Sequence, residues 1–182
     1  MKSLYKVIFL ILSLLVPNIG LSESKLEHQV KAVSELQIEK YLGKWYEIAR
    51  IPNKFERNCV GVTAEYSLLS DKKIEVINTC YKNTLNGRKK IAKGIAKIIE
   101  NGKLKVSFVP IPILSNIASG DYWILYVDEE YKIAVVGEPN RKFGWILSRN
   151  PTVNKATLDK ALKRFIQNGY DTNQLEYVLQ TK

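Results

Sequence analysis

The chain has 182 residues, 46% of them hydrophobic, and 28 Lys and Arg against 18 Asp and Glu give a formal net charge of +10. This length predicts one domain with a full core, and the basic balance favours an anionic partner such as phospholipid or nucleic acid. One histidine, His28, and two cysteines are few for a metal site or for nucleophilic catalysis. We therefore expect no metal, no cofactor and no enzymatic activity.

The amino terminus has the pattern of a secretory signal. Lys2 and Lys6 precede an apolar run over residues 7–16, and Pro17 follows it. This order predicts a signal peptide over 1–22, with cleavage before Glu23 or after Ser24. The apolar run is shorter than the roughly 20 residues of a membrane span, which favours a cleaved signal. An uncleaved anchor is the alternative.

The predicted destination is the bacterial envelope. No cysteine lies near the cleavage site for lipid attachment, so we expect an exported protein, periplasmic or associated with the outer membrane, without a lipobox cysteine. Export argues against a nucleic acid partner. It also favours pairing of Cys59 with Cys80, since thiols outside the cytoplasm are oxidised.

Residues 23–40 form a polar leader that we expect to be mobile, and residues 41–182 form the domain. In that domain, alternation of apolar and polar residues predicts eight antiparallel strands. They cover 42–50, 61–69, 73–81, 88–100, 103–110, 120–128, 131–139 and 142–151. Asn101-Gly102 is a strong hairpin signal, and Gly94 predicts a bend or bulge in its strand.

A helix follows the strands. Leu158, Ala161, Leu162, Phe165 and Ile166 recur at helical spacing. Asn154 or Thr152 is expected to cap its start and Asn168-Gly169 its end, and a last short strand follows over 175–180. Eight hairpin-linked strands form either two stacked sheets or a closed barrel. Closure removes exposed edges and leaves room for one small ligand.

Three segments resemble the signatures of the lipocalins, in particular the bacterial lipocalin and apolipoprotein D branch. They are LGKWYEIARIPNKFER, DYWILYVDEEYKIAVVGEP and WILSRNP. The resemblance covers nearly the whole chain from Tyr41. It implies an all-β, eight-stranded antiparallel up-and-down barrel, with one C-terminal helix packed outside and a short final strand.

The resemblance also implies roles for the first and third signatures. Trp45 would lie inside the closed end of the barrel, Arg149 would pack over it, and Gly43 would let the chain enter the floor. If Trp45 points inward, alternation places Glu47 and Ala49 inward too. An inward carboxylate is costly unless paired, so we expect Glu47 to join a polar network or to bind a polar group of the ligand.

The same matching gives the expected ligand-binding residues, which share the inner face of the barrel. They are Glu47, Ala64, Tyr66, Val76, Asn78, Val106, Phe108, Tyr122, Ile124, Tyr126, Phe143 and Trp145. Val135 is expected on the same face. Small, aromatic and a few polar side chains predict a cavity that accepts an acyl chain and orients one polar head. The resemblance favours a fatty acid or lysophospholipid, carried for membrane maintenance. The alternatives are a lipocalin-type enzyme acting on a lipid or epoxide, and a pigment- or tetrapyrrole-binding protein.

Alternate loops, over 51–60, 82–89, 110–119 and 139–142, would surround the open end. Cys59 and Cys80 would meet at this rim. Apolar Ile111, Ile113, Leu114 and Ile117 would stand among Lys54, Arg57, Arg88, Lys89, Lys90, Arg141 and Lys142. This combination suits docking on an anionic membrane surface. The alternative is that the apolar loop folds inward as a lid.

Overall fold

The structure is a computed structural model that describes residues 29–109 and 118–181. It contains one nine-stranded antiparallel sheet and two α-helices in these ranges. The strands are β1 (Gly43–Arg50), β2 (Cys59–Ser70), β3 (Lys73–Lys82), β4 (Lys89–Glu100), β5 (Lys103–Ser107), β6 (Gly120–Val127), β7 (Ile133–Gly137), β8 (Gly144–Ser148) and β9 (Glu176–Tyr177). The helices are α1 (Ile38–Tyr41) and α2 (Lys155–Gln167), and a 3₁₀ turn covers Thr172–Gln174.

The sheet closes on itself. Strands β2 to β8 pair in chain order, β8 pairs with β1, and β1 pairs back onto β2 with Trp45 opposite Ala64. Closure leaves no exposed edge between the first eight strands. The predicted up-and-down barrel is confirmed, and so is the helix packed outside it.

The C-terminal segment fills a gap in the wall. The amide of Val178 donates to the carbonyl of Ile48 on β1, and the amide of Gly61 on β2 donates to the carbonyl of Leu179. The side-chain amide of Gln180 donates to the carbonyls of Glu47 and Val62. β1 and β2 therefore diverge towards the open end, and the chain terminus bridges them.

Two β-bulges change which residues face inward. The register shifts between Glu47 and Ala49 in β1 and between Ile124 and Tyr126 in β6. Each bulge adds one residue to its strand, so the alternation of faces slips by one. Ala49 and Tyr126 pack with the outer cluster beneath α2, and the predicted inward positions of both are wrong. Val135 also lies in this outer cluster, because β7 turns Ala134 and Val136 inward instead.

Gly94 does not make the predicted bulge. The pairing of β3 with β4 runs through it without a shift, with Val76 opposite Gly94. A Cβ at this position would lie 2.7 Å from the carbonyl oxygen of Ser107 and 2.8 Å from the ring of Phe108. The glycine is needed because β5 and Phe108 approach its backbone closely.

Helix α2 covers the outer wall of β6 and β7. Asn154 caps its start by accepting a hydrogen bond from the amide of Thr157 at 2.9 Å, as expected. Ala161 and Phe165 are buried, and Phe165 packs on Tyr170 with ring centroids 4.5 Å apart. Ile166 lies on the opposite side of the helix and is 56% exposed.

The described part of the leader is packed on the barrel rather than mobile. Val30 is buried in the cluster beneath α2, and the amide of Val33 donates to the carbonyl of Ile124. The predicted signal peptide and His28 lie outside the described residues. Neither helix in the described ranges is long and apolar enough to cross a membrane.

Candidate ligand-binding site

The closed end of the barrel is sealed by Trp45 and Arg149. The guanidinium carbon of Arg149 lies 3.9 Å from the centroid of the Trp45 ring. Its N–H groups donate to the carbonyls of Lys40, Leu42, Lys44, Tyr41 and Tyr131, at 2.7, 2.7, 2.8, 3.2 and 3.2 Å. This one side chain therefore joins α1, the start of β1 and the loop after β6. Its planar, multiply donating head makes that possible.

Gly43 has a backbone requirement at the same end. Its φ is +85°, and a Cβ there would lie 3.4 Å from the guanidinium of Arg149. A residue with a side chain rarely adopts this φ. Gly43, Trp45 and Arg149 thus meet at the floor, as the resemblance implied.

The lower half of the barrel is filled. Trp45, Ile124 and Val136 are 0% exposed and Val76 is 3% exposed. Because accessible surface also counts internal voids large enough for water, these side chains border no such void. Val76 and Ile124 therefore face inward as predicted, but they pack the floor and do not line open space.

The upper half is different. Several inward side chains keep accessible surface: Ala64, Asn78, Ala92, Val106, Tyr122, Phe143 and Trp145 are half-buried. Phe108 is 45% exposed although it lies against Gly94 on the inner wall. The accessible inner surface of the barrel therefore lies on the mouth side of Ile124.

Aromatic rings form a continuous path from the mouth to the floor. Phe55 of the first loop lies 6.0 Å from Phe143, which stacks on Trp145 at 6.0 Å and 9°. Trp145 stacks on Tyr122 at 6.3 Å, and the path continues through Tyr66 and Tyr41 to Trp45. A path of ring faces offers apolar contact along the length of an extended ligand.

Three tyrosine hydroxyls meet where the open and filled halves join. The oxygen of Tyr122 lies 2.8 Å from that of Tyr41 and 2.7 Å from that of Tyr66. Burial raises the pKa of all three phenols above its ordinary value, so all three keep their protons at neutral pH. Two of the protons are used in these hydrogen bonds, and the third can be donated to a bound polar group.

A charged cluster lies in the wall above the tyrosines. Nη1 of Arg50 donates to Oε1 of Glu47 at 2.9 Å, and Nη2 donates to Oε1 of Glu176 at 2.5 Å. Burial lowers the pKa of Arg50, but the nearby carboxyl groups of Glu47, Glu56 and Glu176 raise it by more, so the net shift of the pKa is upward. Arg50 is therefore a buried cation, 1% exposed.

Glu47 is a buried carboxyl group with a raised pKa. Burial raises its pKa well above the ordinary value, the nearby charge of Glu56 raises it further, and Arg50 only partly offsets them. The expected polar network around Glu47 is present in the structure.

Glu56 ties the first mouth loop to the barrel wall. Its Oε2 accepts hydrogen bonds from Nε1 of Trp145 at 3.1 Å and from the side-chain amide of Asn53 at 2.5 Å. Oδ1 of Asn53 accepts from the amides of Phe55 and Glu56. The two side chains therefore fold the loop back on itself and, through Trp145, fasten it to β8.

Two buried polar atoms have no hydrogen-bond partner in the part of the chain that the structure describes. They are Nε of Arg50 and Oδ1 of Asn78. Unpaired buried polar atoms are costly and uncommon in folded proteins. Nε of Arg50 is a donor and Oδ1 of Asn78 is an acceptor.

The expected binding residues lie in different parts of the barrel. Ala64, Asn78, Val106, Phe108, Tyr122, Phe143 and Trp145 line the open half. Tyr66, Val76 and Ile124 pack the floor, and Glu47 joins the charged cluster. Tyr126 faces outward, where the guanidinium of Arg164 lies 4.8 Å from its ring centroid.

Arg50, Glu56 and Tyr41 were absent from the residues expected in the site. Arg50 points inward only because of the bulge in β1, which no residue pattern marks. Glu56 had a signal that could have been used. Asn53 and Glu56 stand three residues apart, which is the capping-box spacing.

The disulfide joins the second and third strands at the rim. Cys59 and Cys80 are bonded, with Cα atoms 5.4 Å apart and a sequence separation of 21. Nearby, the ammonium groups of Lys82 and Lys90 donate to the carbonyls of Arg57 and Phe55. The rim therefore fastens the first mouth loop on a second side.

Of the other mouth loops, 82–89 and 139–142 are described in full, and 110–119 is described only at residues 118–119. Ile111, Ile113, Leu114 and Ile117 lie outside the described residues. Arg141, expected among the rim cations, donates to the carbonyl of Asn168 at the end of α2. No cluster of His, Cys, Asp and Glu that could hold a metal ion occurs within 29–109 and 118–181.

Comparison with known proteins agrees with this architecture. The sequence model of the Lipocalin-like domain family matches residues 36–180. The chain is 41% identical to "Outer membrane lipoprotein Blc" of Vibrio cholerae, over 96% of this chain and 99% of that protein. It is 36% identical to "Temperature-induced lipocalin-1" of Arabidopsis thaliana, over 81% of each. It is 34% identical to "Apolipoprotein D" of Mus musculus, over 76% and 74%.

Solved structures share the fold. Insecticyanin of the tobacco hornworm superposes with a TM-score of 0.65 at 22% identity, over 84% of this chain and 85% of that one. Lobster apocrustacyanin A1 gives 0.64 at 18% identity, over 80% and 81%. At these identities the comparison supports the barrel architecture alone.

Proposed function

Since the chain belongs to the lipocalin family, in its bacterial and apolipoprotein D-like branch, we propose that it binds and carries a fatty acid or lysophospholipid in the cell envelope. Lipocalins bind small hydrophobic ligands. The observation that carries the finer proposal is the barrel's division into a filled floor and an open, aromatic-lined upper half. A single acyl chain fits a narrow space of this kind, with its polar head held by a few groups.

The acyl chain would lie along the ring path. Phe143, Trp145 and Tyr122 supply stacked faces on one side, and Val106 and Phe108 supply apolar surface on another. Burying each methylene of such a chain contributes roughly 0.8 kcal/mol. Burial of about ten to twelve methylenes would therefore outweigh the cost of immobilising the ligand.

The polar head would meet groups that lack partners inside the protein. The spare tyrosine proton is a donor that suits a carboxylate or phosphate, and the side-chain amide of the half-buried Asn78 offers groups that suit a hydroxyl. A lysophospholipid offers both a phosphate and a free hydroxyl. A fatty acid offers only the carboxylate.

We propose binding without a chemical step. Glu47 is the inward carboxyl group, but Arg50 and Glu56 already engage it. A general base must be free to reach the proton that it removes. We therefore expect neither the wild type nor Glu47→Gln to turn over a lipid or epoxide substrate.

The envelope role is supported by the predicted signal peptide and by a relative named an outer membrane lipoprotein. Periplasmic or outer-membrane association, membrane maintenance and contact with an anionic membrane surface through the mouth loops all remain part of the proposal.

Intrinsic fluorescence tests the site. Trp145 lies on the ring path, whereas Trp123 lies outside and is covered by Lys103, with the ammonium 4.7 Å from the ring centroid. Titration with oleate or with oleoyl lysophosphatidylcholine should quench the emission in a saturable, stoichiometric way. Trp145→Phe should abolish the change, and Trp123→Phe, the matched control, should retain it.

The head-group contacts need a second comparison. Asn78→Leu should weaken lysophospholipid binding by roughly tenfold, the effect of losing one hydrogen bond in a buried site, and should affect oleate less. Equal quenching by Trp145→Phe and wild type, or no quenching at all, would contradict the proposed site. A protein that is coloured when purified would favour the pigment alternative.

A further inference from the structure

We propose that the outward face of β3, β4 and β5 docks on an anionic lipid bilayer. We call this surface the β4 face; it comprises Lys73, Glu75, Ile77, Thr79, Tyr81, Lys89, Ile91, Lys93, Ile95, Lys97, Ile99, Lys103, Lys105 and Ser107. Charge and exposure on the outside of the barrel support this docking. It does not depend on the cargo inside.

The two sides of the barrel differ in cover. Helix α2 and the described leader bury the outer surface of β6 and β7, where Leu125, Ile133 and Val135 are 7% exposed or less. No element of the described ranges covers β4, and its outward Ile91, Ile95 and Ile99 are 51%, 45% and 56% exposed. Exposed apolar residues that form a row on one element mark an interaction surface more strongly than scattered ones.

Strand β4 alternates two residue types along this face. Its outward positions read Lys89, Ile91, Lys93, Ile95, Lys97, followed by Ile99. At about 3.3 Å per residue, the apolar row from Ile91 to Ile99 extends roughly 26 Å. An aliphatic residue and a lysine therefore alternate about every 7 Å across a long, exposed strand.

The neighbouring strands add more cations. Lys73 of β3 lies opposite Lys97, and Lys97 lies opposite Lys105 of β5, so three lysines form a row across three strands. Lys105 pairs with Asp121 at 3.2 Å. The only carboxylates within β3, β4 and β5 are Glu75 and Glu100, and Glu100 pairs with Lys103. The surface is strongly cationic.

The composition of the β4 face favours an anionic membrane as its partner. Lysine ammonium groups suit the phosphates of an anionic membrane surface, and the isoleucines suit the boundary between head groups and acyl chains. A second copy of the chain would bring lysines against lysines across the interface. A single-stranded nucleic acid would call for aromatic stacking platforms, whereas the exposed apolar residues of β4 are aliphatic.

Docking by this face would also place the entrance near the membrane. Lys89 and Ile91 belong to the mouth end of β4, since Lys90 lies opposite Cys80 of the rim disulfide. Phe108, on the inner wall of the open half, packs against Gly94 of the same strand. The barrel would lie on its side, with its open half beside the lipid surface.

Vesicle co-sedimentation tests the proposal. The full-length gene is expressed in an exporting bacterial host, and the purified product is mixed with vesicles of phosphatidylcholine alone or with added phosphatidylglycerol. Binding is expected only with phosphatidylglycerol and should fall sharply between about 0.1 M and about 1 M salt, where the Debye length shrinks from roughly 10 Å to roughly 3 Å. Lys93→Glu should weaken partitioning by at least about fivefold.

Helix α2 offers matched controls on the covered side of the barrel. Lys160→Glu makes the same change in net charge as Lys93→Glu, and both lysines are exposed. Ile91→Thr with Ile95→Thr keeps β-branched residues in the strand, and Ile166→Thr is its control. The strand variants should weaken vesicle binding and the helix variants should not, while oleate binding and thermal unfolding stay unchanged in all four.

Other outcomes would overturn the proposal. Equal loss in Lys93→Glu and Lys160→Glu would mean that net charge alone drives binding. Loss only on changing Ile113 and Leu114 to Ser would place docking at the mouth. A dimer in sedimentation velocity that Ile91→Thr with Ile95→Thr dissociates would make the β4 face a contact between copies. Loss of oleate binding with intact vesicle binding would instead refute the proposed cargo.

Discussion

Arg149 shows how one side chain can seal an end of a barrel. It stacks on Trp45 and donates to five backbone carbonyls. Those carbonyls lie at the ends of α1 and of the strands around the floor, where the regular ladder leaves acceptors unused. A lysine keeps the charge, but it has a single ammonium group and no planar face.

We expect Arg149→Lys to lower the free energy of unfolding by about 2 kcal/mol, since five backbone carbonyls lose the guanidinium as donor, three of them in partly buried hydrogen bonds. Urea unfolding followed by tryptophan emission measures the change. Arg164→Lys is the control, because Arg164 stacks on Tyr126 at the surface, and it should cost no more than about 1 kcal/mol. Equal effects of the two changes would contradict the structural role of Arg149.

Glu47 gives the stability a dependence on pH. Its pKa is raised in the folded protein, so the folded state holds the proton more tightly than the unfolded state does. The stability that this pKa shift contributes is therefore fully present below the ordinary carboxyl pKa of 4.5. This contribution is lost as pH rises through the raised pKa.

Glu47→Gln removes this titration. As pH rises from about 4.5, the melting temperature of the wild type should therefore fall relative to that of Glu47→Gln. Melting curves across that range measure it, with the exposed Glu65→Gln as control. A difference that does not change with pH would mean that Glu47 has no raised pKa.

At the scale of elements, the strand pattern predicted most of the barrel, because half-buried strands alternate strictly. All eight predicted strands are present, with their ends shifted by at most three residues. Errors arose at Ala49 and Tyr126, where a bulge adds one residue. The residues that the bulges add, Ile48 and Leu125, are apolar like most of their neighbours on both faces of the strand. Hydrophobic alternation alone therefore cannot locate the slip.

Gly94 illustrates a second kind of error. Its predicted bulge is wrong, because the reason for glycine is the approach of Ser107 and Phe108 from the next strand. Gly94→Ala should cost about 1–3 kcal/mol through overpacking. Gly120→Ala is the control, since a Cβ there has no neighbour within 4 Å, and its effect should stay within about 0.5 kcal/mol. Chemical denaturation of both variants decides between close approach and an ordinary strand position.

The disulfide closes a loop around the β2–β3 hairpin. Replacing Cys59 and Cys80 by Ser should lower the free energy of unfolding by roughly 3 kcal/mol, largely by freeing the unfolded chain. Wild type unfolded with and without reductant provides an independent comparison. Identical unfolding curves would contradict this contribution.

At the scale of the whole molecule, the barrel has a packed end and an open end. The packed floor follows from residues that the sequence marked, Trp45 and Arg149. The open half could be located only with the structure, because which inward side chains touch each other depends on strand tilt and on the path of the first mouth loop. Arg50 and Glu56 belong to that part of the site. Arg50 donates to Glu176 and Glu56 accepts from Trp145, so both contacts join segments that are distant in sequence.

The central claim is that the open half holds one acyl-chain lipid. Native mass spectrometry of the exported protein, purified without detergent, tests it most directly, with a repeat after organic extraction and re-addition of oleate or lysophosphatidylcholine. We predict a species heavier by one fatty acid or one lysophospholipid, lost on extraction and restored on re-addition. A protein that carries no such mass and takes up neither lipid would contradict the account.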